Sequence, residues 1–247
     1  MVEEKAMSLV EHLSELRRVL VVSAFAIAAG TALGWFLSSP LFGFLTAPVS
    51  ALPATRFITT SVTEPVIVKL KVSLLAGILF ASPVILYQLW SFILPALKKN
   101  ERKYLYIILP CSVLLFFGGA AFAFYVVMPL GLRFLLFVNS GVKYEPLITQ
   151  NSYLTFLLTF LVAFGAVFEL PVALLILVRL GLITPLWLRK KRRYALFVII
   201  LLAAVLSPTP DIPSQLLMAG PMYLLYEVSI WLSYLVARSR TRALERV

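Results

Sequence analysis

The chain contains six long apolar runs, and they restrict its possible folds more than any other feature of the sequence. An α-helix needs roughly 20 apolar residues to cross a bilayer, and most of the runs reach or approach that length. Hydrophobic residues make up 61% of the 247 positions, compared with about 45–50% in soluble domains. Because a soluble fold must cover much of its surface with polar groups, we predict that this chain uses lipid as its solvent.

The runs predict a single integral membrane domain over residues 1–247, of the all-α polytopic class, with six transmembrane helices. We place these helices at about residues 19–37, 65–92, 104–137, 153–180, 194–206 and 214–236. The last two are short, and the fifth has only about 13 residues, a length that is also typical of a core helix or a re-entrant segment. If the fifth run spans, the bilayer must become thinner beside it.

Basic residues are concentrated in alternate loops. The clusters consist of Lys5, Arg17 and Arg18; Lys98, Lys99, Arg102 and Lys103; residues 189–193; and Arg238, Arg240, Arg242 and Arg246. The loops between them contain only Arg56 and Lys143. Because basic loops stay in the cytoplasm, this alternation predicts six spans with both termini cytoplasmic. Five spans would place the tail cluster on the opposite side, so the charges favour a fifth segment that crosses.

Charge and residue usage exclude several classes of function. The net charge is +11, but the basic residues flank apolar runs, so we expect contact with anionic lipid headgroups and no nucleic acid partner. One cysteine, Cys111, and one histidine, His12, predict no metal site and no cofactor. An intramembrane protease needs a nucleophile beside a base, yet His12 precedes the first span, so we predict no catalytic residues and no enzyme. A Gly-Lys-Ser/Thr phosphate-binding loop is also absent, so transport would need another energy source.

Glu169 is the acid that most needs an explanation, because it lies inside the fourth apolar run. A charged side chain at the centre of a membrane helix costs about 2.5–3.5 kcal/mol on insertion scales, so it should face protein or a water-filled cavity. Its nearest basic neighbour on the same helix is Arg179, several turns away. We also expect Pro171 to kink this helix. Glu169 is therefore either a functional acid or the partner of an interhelical hydrogen bond.

Two further acids lie at the predicted cytoplasmic surface. Glu11 and Glu15 are four residues apart and share one helix face, where Arg18 could offset them. Glu101 is the single acid in a strongly basic loop. Each acid has two interpretations: a solvated residue that balances nearby cations, or part of an acidic surface for a cationic partner.

Two polar residues of the sixth run are predicted to support the fold. Glu227 lies nearer its cytoplasmic end, and we interpret it as structural. Gln215 lies near its external end, where an amide can bond a neighbouring helix and contribute about 0.6–2 kcal/mol.

Several motifs along the chain resemble those of the TatC family, the polytopic subunit of the twin-arginine protein translocase. They are EHLSELRR at 11–18, AP at 47–48, TEP at 63–65, ASPVILYQLW at 81–90, FILPAL at 92–97, NER at 100–102, FGAVFELP at 164–171, LRKK at 188–191, PD at 210–211 and SQ at 214–215. They occur in the family's order and cover nearly the whole chain.

The resemblance implies a concave six-helix scaffold in the cytoplasmic membrane of a prokaryote. It also implies a receptor for the twin-arginine signal peptides of folded precursors. The family's signal-peptide residues match Glu15, Arg17, Phe92 and Glu101 here. This role suits the chemistry, because a guanidinium stays charged and can bind a carboxylate through two hydrogen bonds.

The resemblance further implies assembly with small single-span subunits of the TatA/TatB type, self-association in a larger complex, and export driven by the proton gradient. The matching partner-binding residues are Glu169, Ser207 and Gln215. The turn between Leu206 and Ile212 is one residue longer than in the family, which affects Ser207 more than Gln215. A proton-coupled secondary transporter of small solutes, with Glu169 as its carrier site, is the alternative.

Overall fold

The computed structural model describes residues 9–50, 56–93, 105–137, 147–207 and 211–244. Nearly all of these residues are helical. The elements are α1 (Leu9–Phe36), α2 (Ser38–Ser50), β1 (Arg56–Ile58), α3 (Glu64–Ile93), α4 (Leu105–Phe122), a π-helical turn (Ala123–Val127), α5 (Met128–Phe137), β2 (Leu147–Thr149), α6 (Gln150–Val167), α7 (Leu170–Leu180), α8 (Pro185–Lys190), α9 (Arg192–Leu206) and α10 (Ile212–Leu244).

Five helical stretches are long and apolar enough to cross a membrane. They are Leu13–Phe36, Glu64–Ile93, Ile108–Leu136, Gln150–Leu180 and Ile212–Leu235. The remaining predicted helix, the fifth, is α9, whose 15 residues rise about 22 Å, against a hydrocarbon core of about 30 Å. The predicted all-α polytopic fold with six membrane helices is confirmed.

A second helix that was not predicted follows the first one. The first helix was predicted to end at about residue 37; α1 ends at Phe36, and α2 begins at Ser38. Pro40 lies in the first turn of α2, where a backbone N–H would have no intrahelical partner in any case. The proline therefore permits a new helix immediately after the first.

The third predicted helix is not uniform either. A π-helical turn, Ala123–Val127, separates α4 from α5. Pro129 has no backbone N–H to donate to the carbonyl four residues earlier, and the wider turn ends just before it. The chain nevertheless stays helical from Leu105 to Phe137.

The fourth predicted helix is interrupted over two residues, next to the proline that was expected to kink it. α6 ends at Val167, and α7 begins at Leu170 with Pro171 in its first turn. α7 ends at Leu180 and is capped by Gly181, whose φ of 78° lies in the left-handed region. This conformation is inexpensive only for glycine, so Gly181 ends the helix cleanly.

α1 and α3 form a close antiparallel pair. A Cβ atom on Gly30 would lie 2.8 Å from the Gly77 carbonyl oxygen, and one on Gly34 would lie 2.7 Å from the Ser73 carbonyl oxygen. Only glycine allows backbones to approach so closely, as is typical of helix pairs in membranes. These contacts fix the register of the two helices, because numbers rise along α1 as they fall along α3.

The loops lie at two opposite ends of the helical bundle, which we call the strand end and the basic end. At the strand end, β1 pairs in parallel with β2, and Arg56 is opposite Leu147. The basic end contains the start of α1, the end of α3, the start of α4, the end of α7, α8, the start of α9 and the end of α10. This division follows the alternation of the basic clusters.

Two groups of buried side chains stabilise the bundle. The larger one involves α2 to α10 and includes the fully buried Met128, Leu157 and Phe160. The smaller one joins α3, α4 and α7 and consists of Leu86, Trp90, Phe116, Val172 and Ile176. The smaller cluster lies next to the break between α6 and α7.

Candidate functional site

Glu15 and Arg17 lie on α1 near the basic end. Glu15 is half-buried, and its oxygen Oε2 is buried without a hydrogen-bond partner among the described residues. Within the same residues Glu15 forms no ion pair. Arg17, two positions further along α1, is exposed. The structure thus places a carboxylate with an unsatisfied oxygen and an exposed cation within one turn of α1, on different faces of the helix.

Phe92 lies on α3 at the same level as Glu15. The register that places Gly30 against Gly77 fixes this relation, because Glu15 and Phe92 are equally far from that contact along the two antiparallel helices. Phe92 is half-buried and belongs to the last turn of α3. Glu101, the fourth predicted signal-peptide residue, lies outside the described residues.

Glu169 occupies the break between α6 and α7. It precedes the first residue of α7, where the positive end of the helix dipole favours a negative charge. Its side chain makes no capping hydrogen bond. The residue is 8% exposed, and neither carboxylate oxygen has a hydrogen-bond partner in the described part of the chain. The interhelical hydrogen bond that we considered as its alternative role is therefore not formed at normal geometry.

Ser207 and Gln215 lie at the strand end, on either side of the turn between α9 and α10. Ser207 ends α9, and its backbone N–H donates to the Ala203 carbonyl at 2.9 Å. The Gln215 side-chain nitrogen Nε2 donates to the Ile200 carbonyl at 3.1 Å. This confirms that Gln215 bonds a neighbouring helix.

The predicted partner-binding residues do not form one cluster. Ser207 and Gln215 lie at the strand end. Glu169 lies closer to Leu180, at the basic end, than to Gln150, at the strand end. A partner that contacts all three residues must therefore extend along the bundle.

A polar network at the strand end was not predicted from the sequence. Glu64 is 3% exposed and accepts hydrogen bonds from the backbone N–H of Thr60 at 2.6 Å and of Asn151 at 3.0 Å. Lys71 donates to the side chains of Asn151 and Thr155, each at 2.5 Å. The available signal was an acid directly before Pro65 at the start of an apolar run, which is typical of a helix N-terminus. Its partner on α6 could not be read from the sequence.

The structural interpretation of Glu227 is confirmed. Its oxygen Oε2 pairs with Arg192 of α9 at 2.5 Å, and its oxygen Oε1 accepts from the Tyr223 hydroxyl at 3.0 Å. Tyr226 donates its hydroxyl to the Leu188 carbonyl at 2.8 Å. These bonds attach α8 and α9 to α10 at the basic end.

No group of three or more His, Cys, Asp or Glu side chains that could hold a metal ion occurs among the residues that the structure describes. The acids with unsatisfied oxygens lie in separate parts of the structure, Glu15 on α1 and Glu169 in the break between α6 and α7. Such groups suit the binding of a cationic or hydrogen-bonding partner.

Comparisons with known proteins agree on one family. The family model described as Sec-independent protein translocase protein (TatC) matches residues 11–221. A Sec-independent protein translocase protein TatC from Carboxydothermus hydrogenoformans is 44% identical over 231 residues, which cover 94% of each chain. The protein of the same name from Escherichia coli K12 is 37% identical over 97% of this chain and 93% of its own.

A solved structure extends the similarity to three dimensions. It is described as the crystal structure of the twin arginine translocase receptor TatC, and it matches with a TM-score of 0.81 and 40% identity. The match covers 92% of this chain and all of the other. These relatives do not favour the small-solute transporter. The chain belongs to the TatC family and is a multi-pass membrane subunit of the twin-arginine protein translocase.

Proposed function

We propose that this subunit binds the twin-arginine signal peptides of folded precursor proteins at its basic end, which faces the cytoplasm. Glu15, Arg17, Phe92 and Glu101 form the binding surface. The observation that carries this proposal is the buried Glu15 oxygen without a partner, at the same level as Phe92. Glu101 is included in this surface on the basis of the family motif alone.

Arginine is the side chain that best matches this surface. A half-buried carboxylate without a partner is unfavourable, and a guanidinium can satisfy both of its oxygens at once. Arginine also keeps its charge under all physiological conditions, whereas lysine offers a compact ammonium without the planar fork. Two carboxylates, at Glu15 and Glu101, would thus distinguish a pair of arginines from a pair of lysines. Phe92 adds an apolar contact for the segment that follows.

The orientation follows from the distribution of charge. Basic loops are retained in the cytoplasm, and the basic end contains residues 189–193 and the end of α10. Both termini then lie in the cytoplasm of a prokaryotic cell, where precursors are made. Anionic headgroups beside these clusters would stabilise this orientation.

Small single-span subunits of the TatA/TatB type are the proposed partners within the membrane. Glu169 meets their polar groups at one depth, and Ser207 and Gln215 meet them near the strand end. A membrane helix parallel to the bundle extends far enough to reach both levels. The proton gradient supplies the energy, and several copies of this subunit take part in the complex.

Binding of a purified twin-arginine peptide to the full chain in nanodiscs tests the signal-peptide site. Glu101→Ala should weaken binding by roughly tenfold or more, because hydrogen bonds to charged groups contribute about 1.5–3 kcal/mol. Glu15→Ala should weaken binding less. Both variants should melt at or above the wild-type temperature, because neither loses a hydrogen bond or ion pair on which the fold is argued to depend.

Two controls make this measurement specific. A peptide with two lysines in place of the arginines should bind weakly to every variant. Glu245→Ala, which removes an acid from the C-terminal tail, should leave peptide affinity unchanged. Wild-type affinity in both Glu15→Ala and Glu101→Ala would exclude these acids from the site.

A further inference from the structure

A buried hydrogen bond joins α3 to α4 close to the break that contains Glu169. The indole nitrogen Nε1 of Trp90 donates to the hydroxyl oxygen of Ser112 at 2.8 Å. Trp90 is 2% exposed and Ser112 is 0% exposed. Most other buried serines bond a carbonyl of their own helix, as Ser82 does with Leu79 at 2.7 Å. The Trp90–Ser112 bond therefore serves something other than local helix geometry.

The packing of α4 on α6 places Ser112 opposite Glu169. A Cβ atom on Gly165 would lie 2.7 Å from the Phe116 ring, so these two positions face each other. Ser112 lies four residues before Phe116 in the sequence, and Glu169 lies four residues after Gly165. In antiparallel helices, these two steps lead toward the same end of the bundle. The two helices are antiparallel, since α4 begins at the basic end and α6 begins at the strand end. Ser112 also interacts with the Glu169 carboxylate, short of a hydrogen bond of normal geometry.

The chemistry of a hydroxyl determines what Ser112 can do in this position. It has one proton to donate and two lone pairs to accept. Because one lone pair accepts from Trp90, the hydroxyl is held in place with its proton still available. Glu169 provides two oxygens that lack partners. The proton of Ser112 can therefore be directed at this carboxylate when the acid is ionised.

The cluster around Trp90 keeps this arrangement rigid. Trp90 packs with Phe116 of α4 and with Val172 and Ile176 of α7, the helix that begins directly after Glu169. The indole thus packs against α4, which carries Ser112, and against α7, which begins directly after Glu169. Rotation of the indole would open a void in this cluster, which opposes movement of its N–H group.

We propose that Trp90 and Ser112 are positioning residues for Glu169: the indole N–H orients the Ser112 hydroxyl, and that hydroxyl sets the position of the carboxylate. The proposal adds to the role of Glu169 in partner binding and rests on that proposed function. Trp90 acts through Ser112 and does not touch the partner.

Infrared difference spectroscopy of the purified full chain tests this arrangement. The Glu169 band is isolated by subtracting, for each variant, the spectrum of the same variant with Glu169→Gln. Ser112→Ala should shift the band to higher frequency, because the carboxyl group loses its polar neighbour. Ser112→Thr keeps the hydroxyl and should retain the wild-type band. Ser82→Ala, the matched control on α3, should also retain it.

A combined variant tests whether Trp90 acts through Ser112. Trp90→Phe alone should shift the band in the same direction as Ser112→Ala, because it removes the N–H donor. Trp90→Phe added to Ser112→Ala should produce no further shift. An unmoved band in Ser112→Ala, or an equal additional shift in the combined variant, would overturn the proposal.

Crosslinking separates this proposal from the proposed role of Glu169. In membranes with the small single-span subunits, Ser112→Ala should reduce crosslinking from a photoreactive residue at position 166, beside Glu169, several-fold, and Ser112→Thr should restore it. A shifted infrared band with unchanged crosslinking would contradict partner binding at Glu169 but not the positioning by Ser112. An unmoved band with wild-type crosslinking would contradict the positioning alone.

Discussion

At the scale of single residues, the acids of this chain fall into two groups. Glu64 and Glu227 are satisfied by hydrogen bonds or an ion pair with neighbouring helices. Glu15 and Glu169 have buried oxygens without partners among the described residues. Because a buried acceptor without a donor is unfavourable, the acids of the second group lower the free energy of unfolding. This contrast is the physical reason to propose a binding role for the second group, whereas the first group stabilises the fold.

Exchange of Glu64 for glutamine tests its structural role. Glu64→Gln replaces one acceptor oxygen with an NH₂ group that faces a backbone N–H of Thr60 or Asn151. We expect a loss of about 1–3 kcal/mol of unfolding free energy, the usual effect of an unsatisfied buried donor. A lower melting temperature in detergent would reveal it.

Glu15→Gln is the matched control for this experiment. It removes the charge of an acid whose buried oxygen accepts no hydrogen bond in the described part of the chain. Its melting temperature should equal that of the wild type. Equal losses in the two variants would contradict the division of the acids.

At the scale of helices, glycines determine which pairs come close. Gly119 of α4 approaches α6 so closely that a Cβ atom would lie 2.5 Å from the Phe164 carbonyl oxygen. Its neighbour, Gly118, has no atom within 4 Å of such a Cβ. Composition alone cannot separate these adjacent glycines, because the difference depends on which face meets α6.

This pair of glycines gives a test of helix packing with an internal control. Gly119→Ala should reduce the free energy of unfolding by about 1–3 kcal/mol, the usual effect of overpacking. Gly118→Ala should be neutral or stabilise by up to about 1 kcal/mol, since alanine is the better helix former. Denaturation of the two variants under the same detergent conditions compares them directly. Similar stabilities would contradict the close approach of α4 and α6.

At the scale of the whole molecule, the alternation of loops between two ends determines the topology. Val62 is 98% exposed and lies at the strand end, and Leu182 is 70% exposed and lies at the basic end. Basic loops are retained in the cytoplasm. The two positions should therefore face opposite compartments.

Cysteine labelling in intact cells tests this topology. The native Cys111 is first replaced by alanine, because it is exposed on the protein surface. Val62→Cys should then react with a membrane-impermeant maleimide added outside the cells. Leu182→Cys should react only after the membrane is opened. Reaction of both cysteines from one side would contradict an odd number of crossings between them.

Much of this fold could be predicted from the sequence, because lipid imposes simple rules on length and charge. The six helices follow from apolar runs and basic clusters, and the break at Glu169 follows from Pro171. The continuation into α2, the π-helical turn and the pairing of β1 with β2 were not predicted. The strand pairing depends on how separate segments meet, which local patterns do not record. Pro40 and Pro129 are local, but a proline is compatible with a loop as well as with the first turn of a new helix.

The candidate site was predictable to a similar extent. An acid within an apolar run identified Glu169 from insertion energy alone. The lack of partners for Glu15 and Glu169 required coordinates, as did the separation of Glu169 from Gln215. The helix lengths place Glu169 at a different depth from Gln215.

The break between α6 and α7 has a mechanical consequence. α6 is held by backbone contact with α4, at Gly119 and Phe164, whereas α7 continues beyond two residues that belong to neither helix. α7 is held as well, because its Val172 and Ile176 pack with Trp90 and Phe116. Glu169 therefore lies at a joint that is fixed from both sides. A guest bound to the carboxylate would sense the packing of both helices at once.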